Sequence, residues 1–334
     1  MSITASLSDV PRSRRTSARR QRGAALLTAM IIVTLVATLS ASMVWQQWRA
    51  VQVESAERAR RQSEWILTGA LDWARLILRE DGRSRGPAGQ SVDHLGEPWA
   101  VPLAESRLST FLAADPSATD IAPDAFLSGA ITDLQALFNV WTLLKDDLTL
   151  DEEAVKAFGE LCTAIGAAPA LANQIALGLV AANSPQAVRD RAAPLQPQTV
   201  EQLTWLGIDA DAVRALAPHV AMLPGFRTPV NVNTASREVL MSAIKGLDLG
   251  SAERLVQVRQ RTPFVSLDDV TKRTQLTALD PKRVSVSSSF FQVRGRFRLE
   301  ERVLELTSTL QRQSDGKTII LRRDRVSIRE QAPS

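Results

Sequence analysis

The stretch Arg22–Trp48, RGAALLTAMIIVTLVATLSASMVWQQW, decides how this chain is organised. No Lys, Arg, Asp or Glu occurs between Ala24 and Trp45. A helix over that range would rise by roughly 33 Å, enough to cross a hydrocarbon core about 30 Å thick. Trp45 and Trp48 end the apolar run, where indole rings favour the boundary between lipid and water. The sequence therefore predicts a membrane span over residues 24–45.

A basic segment precedes this span. Against a single acid, Asp9, it carries six arginines: Arg12, Arg14, Arg15, Arg19, Arg20 and Arg22. Basic residues before a first span hold the N-terminus on the cytoplasmic side. We therefore expect a single-pass protein whose N-terminus is cytoplasmic and whose later residues all lie across the membrane.

Three kinds of N-terminal segment share this arrangement. A cleaved secretory signal would be cut near Ser40-Ala41-Ser42, although no Gly or Pro interrupts the helix before that point. A plain signal anchor would stay uncut. The third kind is cut before the apolar run, between Gly23 and Ala24. This junction resembles the class III signal of type IV pilins and pseudopilins, which prepilin peptidase cleaves after the Gly and then N-methylates. We favour the third interpretation, with the other two left open.

Composition limits the function classes. The chain has 334 residues and 45% hydrophobic residues, enough for more than one domain. Its pI is near 9.7, yet six of the 40 bases and one of the 36 acids lie in residues 1–23. The remaining 34 bases and 35 acids nearly balance, so charge gives no argument for nucleic acid. The single Cys162 excludes an intrachain disulfide and is expected to be a small buried apolar residue.

The helix that begins in the membrane is predicted to run over residues 24–80. Small and apolar residues recur beyond the span at alternating steps of three and four, at Ala56, Ala59, Ser63, Ile66, Ala70, Trp73 and Ile77. We expect this stripe to pack on the protein's own globular part, or on sister helices where it lies nearer the span. The sequence DGRSRGP at residues 81–87 then ends the helix.

The rest of the chain changes character twice. Residues 90–145 hold prolines and short alternating runs, which favour strands. Residues 146–280 are rich in Ala and helix caps, so they predict an inserted all-α domain. Residues 281–330 return to a period of two and predict three strands, with Asp315-Gly316 as a hairpin turn: VSVSSSFFQV, RFRLEERVLELTSTLQRQ and KTIILRRDRVSI. The predicted fold is α+β, with a long N-terminal transmembrane helix and an antiparallel sheet interrupted by the insertion.

Five segments, taken in order, resemble the type II (general) secretion pathway protein K family of large minor pseudopilins. They are RGAALLTAMIIVTLVA from Arg22, DHLGEPWA at 93–100, ITDLQALFNV at 131–140, VNVNTASREVL at 230–240 and VSSSFFQV at 286–293. One departure is that Phe138-Asn139 is followed by Val140-Trp141-Thr142, where the family has an Asn-rich stretch. Residues 1–23 would then be a prepilin leader, and the sheet would be pseudopilin-like.

The resemblance implies a structural subunit rather than an enzyme. It implies a place at the tip of the pseudopilus, assembly with the minor pseudopilins I, J and H, and support for export of folded proteins across the outer membrane. Prepilin peptidase would process the chain at Gly23 and Ala24. The protein would sit in the inner membrane with its C-terminal domain in the periplasm.

Thr28 would be the fifth residue of the processed chain. Most pilins and pseudopilins carry Glu there, and that Glu is thought to pair with the N-terminal ammonium of a neighbouring subunit. A Thr hydroxyl can instead bond to a carbonyl one turn earlier and needs no ionic partner. Thr28 therefore suits a subunit with no neighbour above it, although a simple membrane anchor would also explain it.

A DNA-binding alternative rests on the segment Val230–Val270, which also resembles the helix-hairpin-helix of DNA-uptake receptors. Its hairpin, Gly246-Leu247-Asp248-Leu249-Gly250, places a carboxylate where a phosphate would bind, and nearby acids offset Arg254, Arg259 and Arg261. A membrane-tethered DNA receptor, or a tip pilin of a type IV pilus, is therefore the second functional hypothesis. We expect a structural or protein-facing role for the hairpin and no nucleic-acid partner.

Cofactor and catalytic signals are weak. Some family members bind calcium, so the resemblance raises calcium as a cofactor, but its oxygen ligands need clustered carboxylates and the sequence indicates no cluster. Asp248, Asp268 and Asp269 are interpreted as loop and helix-cap residues. No Gly-rich phosphate loop, metal-ligand spacing or acyl-transfer motif is present in the sequence. No catalytic, cofactor-binding or metal residues are therefore predicted, and calcium stays open through the resemblance alone, with unknown ligands.

Overall fold

A computed structural model describes residues 18–83, 91–108, 125–184, 189, 193–225, 228–276, 279–299 and 302–329. The chain divides into two compact units, Met1–Gln62 and Ser63–Ser334. The helices are α1 (Ala18–Arg83), α2 (Glu152–Ala164), α3 (Ala170–Asn183), α4 (Ala210–Leu216), α5 (Arg237–Ala243), α6 (Leu249–Arg261) and α7 (Leu267–Thr274). The strands are β1 (Leu103–Arg107), β2 (Ala125–Asp133), β3 (Phe138–Asn139), β4 (Val220–Ala221), β5 (Val230–Asn231), β6 (Val284–Ser285), β7 (Phe290–Leu299), β8 (Arg302–Arg312) and β9 (Thr318–Arg329).

In its described residues, the first unit consists of the N-terminal part of α1. Within the described residues, α1 is the one helix long and apolar enough to cross a membrane. Its side chains from Ala24 to Val53 are exposed in the isolated chain, so lipid or other helices must cover the apolar ones. The predicted membrane-length helix is confirmed in length and composition.

The second unit contains a five-stranded antiparallel sheet in the order β1-β2-β7-β8-β9. Strand β2 pairs with β7 along its length, from Ala125 opposite Leu299 to Asp133 opposite Phe291. This pairing brings the segment before the insertion into one sheet with the C-terminal strands. The predicted α+β fold with an antiparallel sheet is therefore confirmed.

The three long C-terminal strands of the structure have different bounds from the three that were predicted. The predicted strand RFRLEERVLELTSTLQRQ is instead the end of β7 followed by β8, which pair as neighbours from Leu299 opposite Arg302. The apolar alternation continues from β7 into β8, so the sequence pattern does not show the boundary between the two strands. The predicted hairpin at Asp315-Gly316 is present, since β8 and β9 pair antiparallel around it. Gly316 has a φ of +80° there, a backbone conformation that glycine adopts without strain.

The C-terminal part of α1 packs on one face of this sheet. Leu67, Leu71, Ala74 and Leu78 are buried there, at steps that follow one face of the helix. Gly295 on β7 permits the close approach, because a Cβ at that position would lie 3.0 Å from the Leu67 side chain. The prediction that Trp73 belongs to the buried stripe is wrong, because Trp73 lies on the opposite face and is 57% exposed.

Helices α2 to α7 lie between β3 and β6 in sequence and form the largest core. Phe158, Leu179, Leu203, Leu240 and Phe264 are among its fully buried members. Two short parallel pairs, β3 with β4 and β5 with β6, link this helical block to the flanking segments. The insertion is thus mainly helical, with the short strands β4 and β5 inside it.

Candidate assembly site

The predicted processing and assembly residues lie in α1. Gly23 and Ala24 are inside the helix, which is described from Ala18 onward. The Thr28 hydroxyl donates to the carbonyl of Ala24 at 2.7 Å and approaches that of Ala25 at 3.1 Å. The predicted bond from Thr28 to a carbonyl one turn earlier is therefore confirmed.

Other hydroxyls in the span behave in the same way. Thr34 donates to the Met30 carbonyl at 2.9 Å, and Ser42 donates to that of Leu39 at 2.8 Å. Because a polar group in hydrocarbon costs free energy unless it is hydrogen-bonded, these bonds make the span compatible with lipid without any partner. No charged side chain lies between Ala24 and Trp45.

An exposed apolar stripe runs along α1 in the second unit, on the face opposite the sheet. It consists of Trp65, Gly69, Trp73 and Leu76, spaced by four, four and three residues, which places them on one face. Trp65 is 78% exposed, and Trp73 and Leu76 are more than half exposed. A Cβ at Gly69 would meet nothing within 4 Å. Two exposed indoles beside a bare backbone segment form a surface that another helix could fill.

The end of α1 is fixed to the sheet by one buried arginine, Arg312 of β8. Its Nη2 lies 2.6 Å from both carboxylate oxygens of Asp93. Its Nη1 lies 2.9 Å from Asp81 Oδ2 and 3.3 Å from the Leu78 carbonyl oxygen, both near the end of α1. The guanidinium also lies over the ring of Phe291, 4.9 Å from its centroid.

A third carboxylate, Asp133 at the end of β2, extends this network into the insertion. Asp133 Oδ2 accepts hydrogen bonds from Ser288 at 2.6 Å, from Thr234 at 2.5 Å and from Asn231 at 3.1 Å. Asn231 also donates to the Asp93 carbonyl oxygen at 3.0 Å. We call Asp81, Asp93, Asp133, Asn231, Thr234, Ser288 and Arg312 the buried polar junction.

The junction explains the segments that carry the family resemblance. DHLGEPWA supplies Asp93, ITDLQALFNV supplies Asp133, VNVNTASREVL supplies Asn231 and Thr234, and VSSSFFQV supplies Ser288. In the first of these, Glu97 accepts from the Trp99 indole N–H at 2.6 Å, and Trp99 packs edge-on against Phe291 with centroids 5.3 Å apart. Four distant pieces of sequence thus meet in one place.

Burial shifts the pKa values of several groups there. Burial, helped by repulsion from Glu97 and Asp93, raises the pKa of Asp81 to about 7, although Arg312 opposes the shift. Burial raises the pKa of Asp133 to about 6, although the hydrogen bonds that its carboxylate accepts lower that pKa. Burial also raises the pKa of Glu97. Burial lowers the pKa of His94.

The sequence alone did not indicate a carboxylate cluster that lies at the buried polar junction. Asp81, Asp93 and Glu97 each place an oxygen within 4.8 Å of the others. Oxygens of this kind suit calcium, but the Arg312 guanidinium already contacts Asp81 and Asp93 as their cation. Spacing along the chain could not reveal the cluster, since Asp93 and Glu97 lie beyond the end of α1 and Arg312 comes more than 200 residues later.

The other acidic residues considered from sequence lie at helix N-termini, and Asp248 is a helix cap as predicted. Asp248 is the N-cap of α6 and accepts from the Ser251 N–H at 2.8 Å. Asp268 and Asp269 lie in the first turn of α7. Asp269 pairs with Arg273 at 3.2 Å. Cys162 is buried, as expected, and burial raises its thiol pKa to about 11.

The DNA-binding alternative gains no support from the hairpin. The Asp248 carboxylate occupies the N-terminus of α6, where a phosphate would bind. Arg259 is buried and donates to the Val232 carbonyl oxygen at 2.6 Å, so it faces the core rather than a ligand. Arg254 is exposed and donates to the Ser251 hydroxyl.

The fold and the exposed apolar stripe on α1 define a class of protein. It is a membrane-anchored, pilin-like subunit, in which the apolar N-terminal part of one long helix is followed by a part packed on an antiparallel sheet. A family model described as type II secretion system protein K matches residues 230–293, and a second with the same description matches residues 136–225. Type II secretion system protein K of Pseudomonas aeruginosa is 32% identical, covering 92% of this chain and 93% of its own length. That of Pectobacterium carotovorum subsp. carotovorum is 27% identical over 84% of this chain and 89% of its own.

The chain belongs to the type II secretion system protein K family and is a minor pseudopilin. A solved structure has a similar fold: a chain in the crystal structure of the GspK-GspI-GspJ complex from enterotoxigenic Escherichia coli. It aligns with a TM-score of 0.59 and 18% identity, covering 81% of this chain and 98% of that chain.

Proposed function

We propose that this minor pseudopilin is a tip subunit of the pseudopilus, a structural protein without catalytic activity that supports export of folded proteins across the outer membrane. It is held in the inner membrane by residues 24–45, with a cytoplasmic N-terminus and a periplasmic C-terminal domain. Prepilin peptidase removes residues 1–23, cutting between Gly23 and Ala24. Pseudopilins I, J and H are its partners.

The observation that carries this proposal is the unpartnered apolar face of α1. In the second unit, Trp65, Trp73 and Leu76 are exposed on a helix whose other face is already buried on the sheet. Apolar surface of this kind is stabilised by association, and aromatic anchors contribute most to such interfaces. The Escherichia coli structure of similar fold is a complex with GspI and GspJ, which supports those two proteins as the occupants.

The domain organisation that goes with this function has four parts after the leader. Residues 24–80 form the N-terminal helix, and residues 90–145 and 281–330 form the pseudopilin-like α+β domain. Residues 146–280 form the helical insertion. The pairing of β2 with β7 supports the joining of the two α+β segments. We propose that the insertion prevents another subunit from stacking above this one, consistent with a tip position.

The mature N-terminus tests the class of the leader. The full chain would be produced in cells with prepilin peptidase and its N-terminal peptide identified by mass spectrometry. We expect a chain that begins at Ala24 and is N-methylated. A chain that begins at Met1 would support a plain anchor, and one that begins at Met43 would support a cleaved signal. Either outcome contradicts the proposal.

Co-purification tests the partners. The full chain would be extracted with mild detergent from cells that also produce pseudopilins I, J and H. We expect I, J and H to co-purify with the wild-type chain. We expect retention of I and J to fall at least about fivefold for Trp73→Ser. The control is Leu95→Ser, which removes an apolar side chain that is 58% exposed outside the stripe. Equal retention by the wild type and both variants would contradict docking on α1.

A further inference from the structure

The last strand, β9, is a long edge strand of the sheet and pairs on one side, with β8. It is the outer neighbour of β8 and pairs with it from Thr318 to Arg329. The other edge strand, β1, has five residues, and short length is a common protection against unwanted pairing. Strand β9 has twelve residues and no proline. Its outer N–H and C=O groups can therefore pair with an added strand.

Contacts from the same unit hold the beginning of β9 in place. The Arg75 guanidinium donates to the Thr318 carbonyl oxygen at 3.0 Å. Arg322 donates to the Gln198 carbonyl oxygen at 3.1 Å. Residues 323–327 follow these fixed points, and the exposed side chains along them leave the edge accessible. We call residues 323–327 the open edge.

The open edge is basic on one face of the sheet. Arg323 lies opposite Ser308, and Arg325 lies opposite Leu306. Both arginines are therefore on the face of the sheet against which α1 packs. Arg325 pairs with Glu64 of α1. Asp324, on the other face, pairs with Arg322 at 2.6 Å. Val326, which lies opposite Glu305, is 51% exposed. With Arg322, the segment has three arginines and one aspartate.

We propose that the open edge binds an extended acidic segment of a partner protein as a sixth strand. Its backbone would form a hydrogen-bond ladder with residues 323–327, and its carboxylates would lie near Arg323 and Arg325. Opposite charges on neighbouring strands stabilise pairing, whereas like charges oppose it. A second copy of this chain is a poor occupant for that reason, since edge-to-edge pairing would bring arginines against arginines.

Synthetic peptides test the proposal on the full chain in detergent micelles. The probe is a fluorescent, end-capped peptide of alternating Glu and Val, and the charge control replaces Glu with Lys. A second control keeps the acidic sequence but N-methylates every residue, which removes the backbone donors. Fluorescence anisotropy should show binding of the first peptide alone. Binding of the N-methylated peptide with equal affinity would show simple charge attraction and overturn strand addition.

Variants of the chain locate the binding. Arg323→Glu should weaken binding of the acidic peptide about tenfold, while Arg254→Glu, an exposed charge reversal on α6, should leave it unchanged. Circular dichroism checks folding, and Arg323→Gln provides a milder change should Arg323→Glu unfold. Hydrogen exchange should slow at residues 323–327 when the peptide binds. No binding up to about 1 mM peptide, or equal binding by Arg323→Gln and Arg323→Glu at wild-type strength, overturns the proposal. Assembly with I and J through α1 is measured separately and can succeed even then.

Discussion

Arg312 and Asp93 are 219 residues apart in the chain, yet Nη2 of the guanidinium lies 2.6 Å from each oxygen of the carboxylate. Asp93 is fully buried and Arg312 is 7% exposed. The same guanidinium also contacts Asp81 near the end of α1. A single side chain on β8 therefore links the end of the helix and the segment around Asp93 to the sheet. This arginine thereby holds in place the end of the helix that carries the exposed stripe.

Loss of this cation should destabilise the folded chain. Arg312→Met should lower the free energy of unfolding by about 3–5 kcal/mol, because it leaves buried carboxylates without their cation. Urea denaturation of the full chain in micelles, followed by tryptophan fluorescence, measures the loss. The control is Arg294→Met, which removes an arginine whose side chain is 60% exposed. It should cost less than about 1 kcal/mol. Equal small losses would mean that the junction is not a stabilising centre.

The junction should also make stability depend on pH. The pKa of Asp81 is raised to about 7 and that of Asp133 to about 6 in the folded chain. The folded state therefore holds protons that the unfolded state releases near pH 4. The stabilisation is complete below that pH and is lost as the pH rises through 6 and 7. Melting temperatures measured between about pH 5 and pH 8 should fall with rising pH.

Removal of one titrating group checks the cause. Asp81→Asn should flatten the fall in melting temperature, while Asp72→Asn, at an exposed position on the same helix, should leave it unchanged. His94 acts in the opposite direction, because burial lowers its pKa, so His94→Gln should steepen the fall. A melting temperature that rises steadily from pH 5 to pH 8 would contradict this account of the junction.

Two arginines of the hairpin segment should differ sharply. Arg259→Glu should destabilise the chain by several kcal/mol, because it places an unpaired carboxylate beside the Val232 carbonyl. Arg254→Glu should change stability by less than about 0.5 kcal/mol, since the side chain is exposed. Urea denaturation of both variants provides the comparison. A gel-shift assay with duplex DNA at low salt should show no shift for the wild type, and a salt-sensitive shift lost in Arg254→Glu would revive the receptor hypothesis.

The elements with a clear period were predictable from sequence, and the junction was not. The span, the helical insertion and the Asp315-Gly316 hairpin follow from local pattern and turn chemistry. Trp73 was misplaced because periodicity identifies an apolar face without showing whether the chain itself covers it. The boundary between β7 and β8 was missed because apolar residues alternate in both strands. Arg312 and Asp93 meet only through tertiary pairing, which no local pattern records.

The exposed stripe on α1 gives a prediction for secretion. Trp73→Ser should leave the melting temperature within a few degrees of the wild type, because the indole is mostly exposed. It should nevertheless reduce export of folded substrates by weakening assembly. Leu95→Ser, outside the stripe, is the matched control and should secrete normally. Normal secretion by both Trp73→Ser and the double variant Trp65→Ser/Trp73→Ser would rule out the stripe as an essential docking surface.

The last prediction concerns Thr28, whose hydroxyl is already satisfied by the Ala24 carbonyl at 2.7 Å. Thr28→Glu places a carboxylate in an apolar helix, where it costs several kcal/mol unless it is paired. A subunit at the tip has no neighbour above it to supply an ammonium. The variant should therefore be processed normally at Gly23 but gain nothing in assembly, and it should leave the membrane less readily or behave as the wild type does.

Thr28→Val is the control for this change, since it removes the hydroxyl without adding charge and should assemble normally. Thr28→Glu should also fail to turn the chain into a shaft subunit, because the helical insertion would clash with a subunit stacked above it. Cryo-electron microscopy of assembled pseudopili checks both variants and the wild type. One copy at the end of each filament is the expected result, whereas wild-type copies repeated along the shaft would refute the tip position.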